Sequence, residues 1–139
     1  MRKLLLVLAR LATVVLTVAV MVLSLIPNPD DLTSASEFST WLATLLLGDA
    51  SQGDKISHFI AYAAISMAGV MGFARSVRSV ILVFVFAILF GGLMELLQGM
   101  VDERQRDAYD FGANSLGALA GIVAGAIAVF LFRLWKPKI

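Results

Sequence analysis

Four long apolar stretches dominate the chain, and short polar segments separate them. They run Leu4–Ile26, Ile56–Ala74, Ser79–Val101 and Phe111–Phe132. A helix that crosses the hydrocarbon core needs about 20 mostly apolar residues, and each stretch is long enough. Lipid offers no hydrogen-bond partner to the backbone, so segments of this length and composition are expected to be helical. The pattern therefore predicts an all-α membrane protein, a four-transmembrane-helix bundle forming a single domain over residues 1–139. The first two stretches are joined by a long loop, Pro27 to Lys55, with a pattern of its own. Phe38, Trp41, Leu42 and Leu45 recur at helical spacing, Ser34-Ala35-Ser36-Glu37 fits a capping box, and Gly48 can close the last turn. This predicts a short interfacial helix over about 35–47. At about 20 Å it is too short to cross. It lies either at the outer leaflet with Trp41 at headgroup depth, or as a lid over the helix ends.

Composition agrees. Hydrophobic residues make up 60% and charged residues 15% of the 139, and the mean hydropathy is +0.91. Soluble domains are about 45–50% apolar and about 25% charged, so a cytosolic globular enzyme is excluded. A net charge of +1 leaves no basic field for a nucleic acid. There is no cysteine and one histidine, His58, so thiolate chemistry and His-rich metal sites are excluded. A metal site from Asp54, His58, Glu95 and Asp110 would draw on separate helices without a tight ligand motif. No cofactor and no metal are expected.

The charges also orient the spans. With both termini cytoplasmic, the inner side carries Arg2, Lys3, Arg10, Arg75, Arg78, Arg133, Lys136 and Lys138. Only Lys55, Arg104 and Arg106 remain outside, a positive-inside bias. Every acidic residue falls in an outer loop or the outer half of a span. A cleaved signal peptide is the competing reading of the N-terminus. Its apolar stretch is too long for a signal, and Pro27-Asn28-Pro29 follows where a small-x-small site would be needed.

Ionisable groups inside a membrane helix cost roughly 2.5–3.5 kcal/mol each by insertion scales, so they face protein or water. Lys55, His58, Tyr62, Ser66 and Gly69 share one face of the second span; Glu95, Gln98 and Asp102 share one on the third. Asp110, Asn114, Gly117 and Gly121 share one on the fourth. At 1.5 Å per residue, Tyr62 lies about 12 Å below Asp54, Glu95 about 10 Å below Asp102, and Asn114 about 6 Å below Asp110. All three faces meet in one slab, which predicts a shared outer pocket. Gly117, Gly121 and Gly125 form a small-residue row suited to close helix approach, and the row is also a candidate homo-oligomer contact. Taken singly, each polar residue has a bland role: helix-end charges for Asp54 and Lys55, dipole partners for Asp107 and Asp110, interhelical glue for Gln98 and Asn114. Their convergence at one depth is what points to a site. Lys55, Arg104 and a protonated His58 can hold a phosphate or carboxylate. His58 and Glu95 are candidate acid–base catalysts. Asp54, Lys55, Tyr62, Gln98, Arg104, Asp107, Asp110 and Asn114 are candidate ligand-binding residues.

The spaced blocks Asp54-Lys55-x-x-His58-Phe59-x-x-Tyr62, Glu95-x-x-Gln98 and Arg104-x-x-Asp107-x-x-Asp110-x-x-x-Asn114-x-x-Gly117-x-x-x-Gly121 resemble the VanZ-like family. That family is named for a membrane protein that raises resistance to the glycopeptide teicoplanin. The resemblance covers roughly half the chain, Asp54 to about Gly125. Asp102-Glu103 stands where the family commonly has Pro or Gly before the arginine. The resemblance implies a small protein of the bacterial cytoplasmic membrane with a polar outer pocket, and it implies no reaction. The partners expected are a membrane lipid or a lipid-linked amphiphile at the outer leaflet, and no nucleic acid. An enzyme acting on a lipid-linked substrate and a purely structural polar network are the alternatives.

Overall fold

The computed structural model describes residues 2–27, 35–101 and 107–134. Five helices follow in order: α1 (Arg2–Leu25), α2 (Ala35–Leu47), α3 (Gly53–Phe73), α4 (Val77–Gln98) and α5 (Ala108–Leu134), with a 3-10 turn at Ala50–Gln52 before α3. No strand occurs among the described residues. The helices α1, α3, α4 and α5 are each long and apolar enough to cross a membrane. Their outward faces are greasy, with Val15, Leu89 and Leu116 more than 60% exposed, as expected of surfaces that meet hydrocarbon rather than water.

The helices begin and end where hydrogen bonding allows, a few residues from the hydropathy boundaries. α3 starts three residues before Ile56, because Gly53, Asp54 and Lys55 are polar or small but still helical. α4 starts at Val77 because Ser76 and Ser79 form a capping box, with Ser79 N–H donating to Ser76 Oγ (3.3 Å) and Ser76 N–H to Ser79 Oγ (2.9 Å). α4 stops at Gln98, short of the expected Val101. At the end of α2, Gly48 takes φ +70°, the left-handed conformation that closes a helix with least strain, and its N–H reaches Thr44 O at 3.0 Å. Ser34, the cap expected for α2, lies outside the described residues.

α3 is the central element, packing on each of the other four helices. Its closest partner is α5, which runs parallel to it. A Cβ placed on Gly117 would collide with the Phe59 carbonyl oxygen, one on Gly121 with the Ala63 carbonyl oxygen, and one on Gly125 would lie 3.0 Å from the Met67 carbonyl oxygen. The constant spacing of these pairs, four residues by four, is a small-residue seam inside one chain. The row is thereby packed against Phe59, Ala63 and Met67 of α3 in its own chain. α1 is anchored on α3 by Arg10, whose Nε donates to Gly72 O at 3.0 Å while its guanidinium lies 5.5 Å from the Phe73 ring. Tyr62, Ala87 and Ala118 form the buried apolar centre where α3, α4 and α5 meet.

α2 docks on the start of α3 through small side chains. Ser39 and Ala43 are buried, and a Cβ on Gly53 would sit 2.7 Å from Thr40 Oγ1. The apolar residues Phe38, Trp41 and Leu45 point away from the protein.

Candidate functional site

Three helices deliver polar side chains to one end of the bundle, where α3 and α5 begin and α4 ends. The face of α3 carrying Lys55, His58, Tyr62 and Ser66 turns toward α4 and α5, since those four positions fall on one side of a 3.6-residue helix. Glu95 and Gln98, three residues apart in the last turns of α4, are 7% and 3% exposed. Asn114, one turn below Asp110 on α5, is 2% exposed. Gly91 of α4 makes this convergence possible. A Cβ there would lie 3.2 Å from the Tyr62 ring and 3.4 Å from the Asn114 side chain, so a larger residue would separate the two.

The polar groups form two linked sets. At the rim, Lys55 Nζ donates to Asp107 Oδ2 at 3.0 Å and stands 3.6 Å from Asp110 Oδ1, tying the start of α3 to the start of α5. Beneath it, Asn114 bridges the other two helices: His58 Nδ1 lies 2.9 Å from Asn114 Oδ1, and Asn114 Nδ2 donates to Glu95 Oε1 at 3.2 Å. An amide whose nitrogen donates to a carboxylate turns its acceptor oxygen to the ring, so His58 Nδ1 is the protonated nitrogen. In the neutral ring Nε2 then carries the free lone pair. It faces Asp110 Oδ2 at 3.8 Å, and His58 Nδ1 lies 3.9 Å from Glu95 Oε1; both distances suit an ion pair but exceed a hydrogen bond.

Four buried oxygens in this region have no hydrogen-bond partner among the described residues: Tyr62 OH, Ser66 Oγ, Glu95 Oε2 and Asp110 Oδ1. Native proteins leave few such atoms, and each one asks for an explanation. Access is graded. The Lys55 and Asp107 side chains are 28% and 34% exposed and those of His58 and Asp110 16% and 14%, whereas Tyr62, at 1%, forms the floor.

Of the ten candidate residues, Lys55, His58, Glu95, Asp107, Asp110 and Asn114 join one network. Tyr62 and Gln98 are buried beside it. Asp54 is exposed, and the first turn of α3 aims Lys55 rather than Asp54 at α5. Arg104 lies outside the described residues. Lys55, expected as a free cation for an anionic ligand, is instead engaged by two carboxylates. Ser66 sits on the predicted face yet outside the candidate set; its position one turn below Tyr62 is the signal that marks it.

Asp107 also caps α5. Its Oδ1 accepts the Tyr109 N–H at 2.8 Å, meeting one of the unpaired amides of the first turn. That bond, followed by the Lys55 hydrogen bond, holds its carboxyl below the ordinary aspartate value. A depressed carboxylate stabilises the fold above the unfolded-state pKa and loses that stabilisation as pH falls through the folded one. The expected outcome is a fall in unfolding temperature of the detergent-solubilised protein below about pH 4, with the Asp107→Asn variant showing a shallower fall over the same window. Identical pH profiles would remove Asp107 from this role.

Comparison of the chain with protein-family models, curated proteins and solved structures gives no match.

Proposed function

We propose that this chain is a VanZ-like protein of the bacterial cytoplasmic membrane, with both termini cytoplasmic and the polar end in the outer leaflet. There it binds the polar headgroup of an amphiphile, contributing to resistance to glycopeptides of the teicoplanin type. Two things support the orientation. Lys3, Arg10, Arg75, Arg78 and Arg133 lie toward the end opposite the polar cluster, while Glu37, Asp49, Asp54, Glu95, Asp107 and Asp110 lie toward the polar end. The apolar face of α2, turned away from the protein, suits a helix lying in the interface with Trp41 in the headgroup layer.

The observation that carries the binding reading is that Tyr62 OH and Glu95 Oε2 have no hydrogen-bond partner among the described residues, while Asp110 Oδ1 meets Lys55 Nζ only at ion-pair range, 3.6 Å. A ligand that supplies donors satisfies them; a bundle that merely needs to associate gains nothing from leaving them bare. Their chemistry also selects the ligand. Glu95, Asp107 and Asp110 outnumber the cation Lys55 around the site, and Lys55 is already paired. An amine- or hydroxyl-bearing headgroup fits this set better than a bare phosphate, and Arg104 alone would not reverse the balance.

A thermal-shift screen in detergent tests this with lipoglycopeptides, amino-headgroup lipids and lipid phosphates. Tyr62→Phe is the informative variant, because it deletes a hydroxyl that has no hydrogen-bond partner among the described residues. Its unfolding temperature is expected to equal or exceed that of the parent. Stabilisation by an amine-bearing amphiphile is expected to need about 2- to 10-fold more ligand, the equivalent of one hydrogen bond. No response from any headgroup in either protein would leave a purely structural network as the better reading.

The fixed ring tautomer favours a second reading, a membrane-embedded enzyme acting on a lipid-linked phosphate or cell-wall precursor. His58 Nε2, with its lone pair free, can take a proton from water or a substrate hydroxyl. Glu95 would act on the substrate separately, since Asn114 stands between it and the ring. Under this reading His58→Gln abolishes product formation while headgroup-induced stabilisation survives.

A further inference from the structure

At the end of the bundle away from the polar cluster, a furrow of about 1030 Å³ opens between α1, α3 and α5. It is large by the standard of ligand sites, which run about 300–1,000 Å³. Its origin is local. α1 and α5 flank α3 here, and small residues, among them Ala12 on α1, Ala68 on α3 and Ala128 on α5, face the gap between larger ones such as Met71 and Phe132. α1 and α5, which pack on α3 through Arg10 and the glycine seam respectively, thus stay apart from each other at this end. The charged residues of the lining are Lys3, Arg75 and Arg133, one from each side of the furrow, and all the rest is apolar. No carboxylate among the described residues lies near them, because the acidic side chains gather toward the other end.

We infer that this furrow is a binding site for an anionic diacyl phospholipid, with an acyl chain along the alanine floor and the phosphate held by Lys3, Arg75 and Arg133. An apolar hollow of this size does not hold ordered water, and in a bilayer hydrocarbon is what fills it. Uncharged lipid would satisfy the floor equally well; the three unopposed cations at its mouth select for negative charge. Basic pockets between transmembrane helices on the cytoplasmic side recognise anionic headgroups in this way. Arg10 takes no part, since its guanidinium is committed to Gly72 O and the Phe73 ring.

The experiment titrates the full-length protein in mild detergent with dioleoyl phosphatidylglycerol or dioleoyl phosphatidylcholine, reading bound lipid by native mass spectrometry and stability by thermal unfolding. Phosphatidylglycerol is expected to bind at about tenfold lower concentration, a preference that shrinks at high salt. The double variant Arg75→Gln/Arg133→Gln, at exposed positions, is expected to unfold at the parent temperature in the absence of lipid and to lose the preference. Ala68→Phe, which fills the floor, is expected to weaken binding of both lipids. A preference that survives the double substitution would overturn the site. So would undiminished phosphatidylglycerol binding in Ala68→Phe, because the lipid would then be resting on a basic surface and not in the furrow. Inorganic phosphate is expected to give no stabilisation; a shift as large as that from phosphatidylglycerol would make this a free-anion site and sink the lipid assignment.

Discussion

Gly121→Ala is expected to yield little folded protein. The added Cβ would meet the Ala63 carbonyl oxygen, and a backbone atom in the middle of a packed helix cannot swing aside as a side-chain tip can. Overpacking a well-filled core usually costs about 1–3 kcal/mol and occasionally more; a clash with backbone at the main helix–helix seam belongs at the upper end. Gly117→Ala is expected to match it, for the same reason at Phe59. Gly125→Ala is expected to be milder, because its Cβ would stand 3.0 Å from the Met67 carbonyl oxygen and from the Val70 side chain, which can shift. Gly112 supplies the control. Nothing lies within 4 Å of a Cβ there, so Gly112→Ala should be neutral or better, by up to roughly 0.5–1 kcal/mol of helix propensity. Unfolding temperatures of the four variants in one detergent give the order. Tolerance of alanine at Gly121 together with sensitivity at Gly112 would mean that α3 and α5 do not pack along this row.

Asn114→Leu is expected to be the most damaging change within the polar network. The intact interhelical hydrogen bonds are worth little: such bonds in membrane proteins average about 0.6 kcal/mol. The loss comes from what leucine leaves behind. His58 Nδ1 and Glu95 Oε1 would both lose their partner in a buried setting, at about 1–3 kcal/mol for each orphaned group and more for a charged one. That asymmetry predicts the outcome of a double change. Asn114→Leu with Glu95→Met removes donor and acceptor together and should recover part of the stability lost by Asn114→Leu alone. Additive losses from the two substitutions would show that Asn114 and Glu95 are not coupled, contrary to their 3.2 Å hydrogen bond.

The sequence located the four long helices well because the bilayer demands apolar length, and Leu4–Ile26 or Phe111–Phe132 satisfies it almost residue by residue. The ends were less legible. Hydropathy marks where hydrocarbon would stop, whereas Asp54, Lys55 and Asp110 are polar residues inside intact helical turns. For the short α2 the recurring Phe38, Trp41 and Leu45 identified a helix, but the side that packs on protein is that of Ser39 and Ala43, because small residues allow closer approach. Within the site, spacing identified which residues share a face, since that follows from 3.6 residues per turn alone. It could not say which face meets which. The pairing of Lys55 with Asp107, and of Asn114 with both His58 and Glu95, depends on how far each helix is rotated. Contacts at Gly91, Gly117 and Gly121 set that rotation, and a glycine leaves no trace of its neighbour in the sequence.

Arg10 has a bearing on how the chain is assembled. It sits roughly 12 Å along α1 from the helix start, deep enough that a lone arginine would be dragged toward the headgroups. Its partner, the Gly72 carbonyl, belongs to the final turn of α3, where oxygens lack a partner within their own helix. Neither group is content until the other arrives, and Gly72 leaves room for the meeting: a Cβ there would stand 3.0 Å from the Arg10 backbone nitrogen. During synthesis the first span emerges long before residue 72. On this geometry Arg10 gains its carbonyl partner only after α3 has formed to its last turn beside α1.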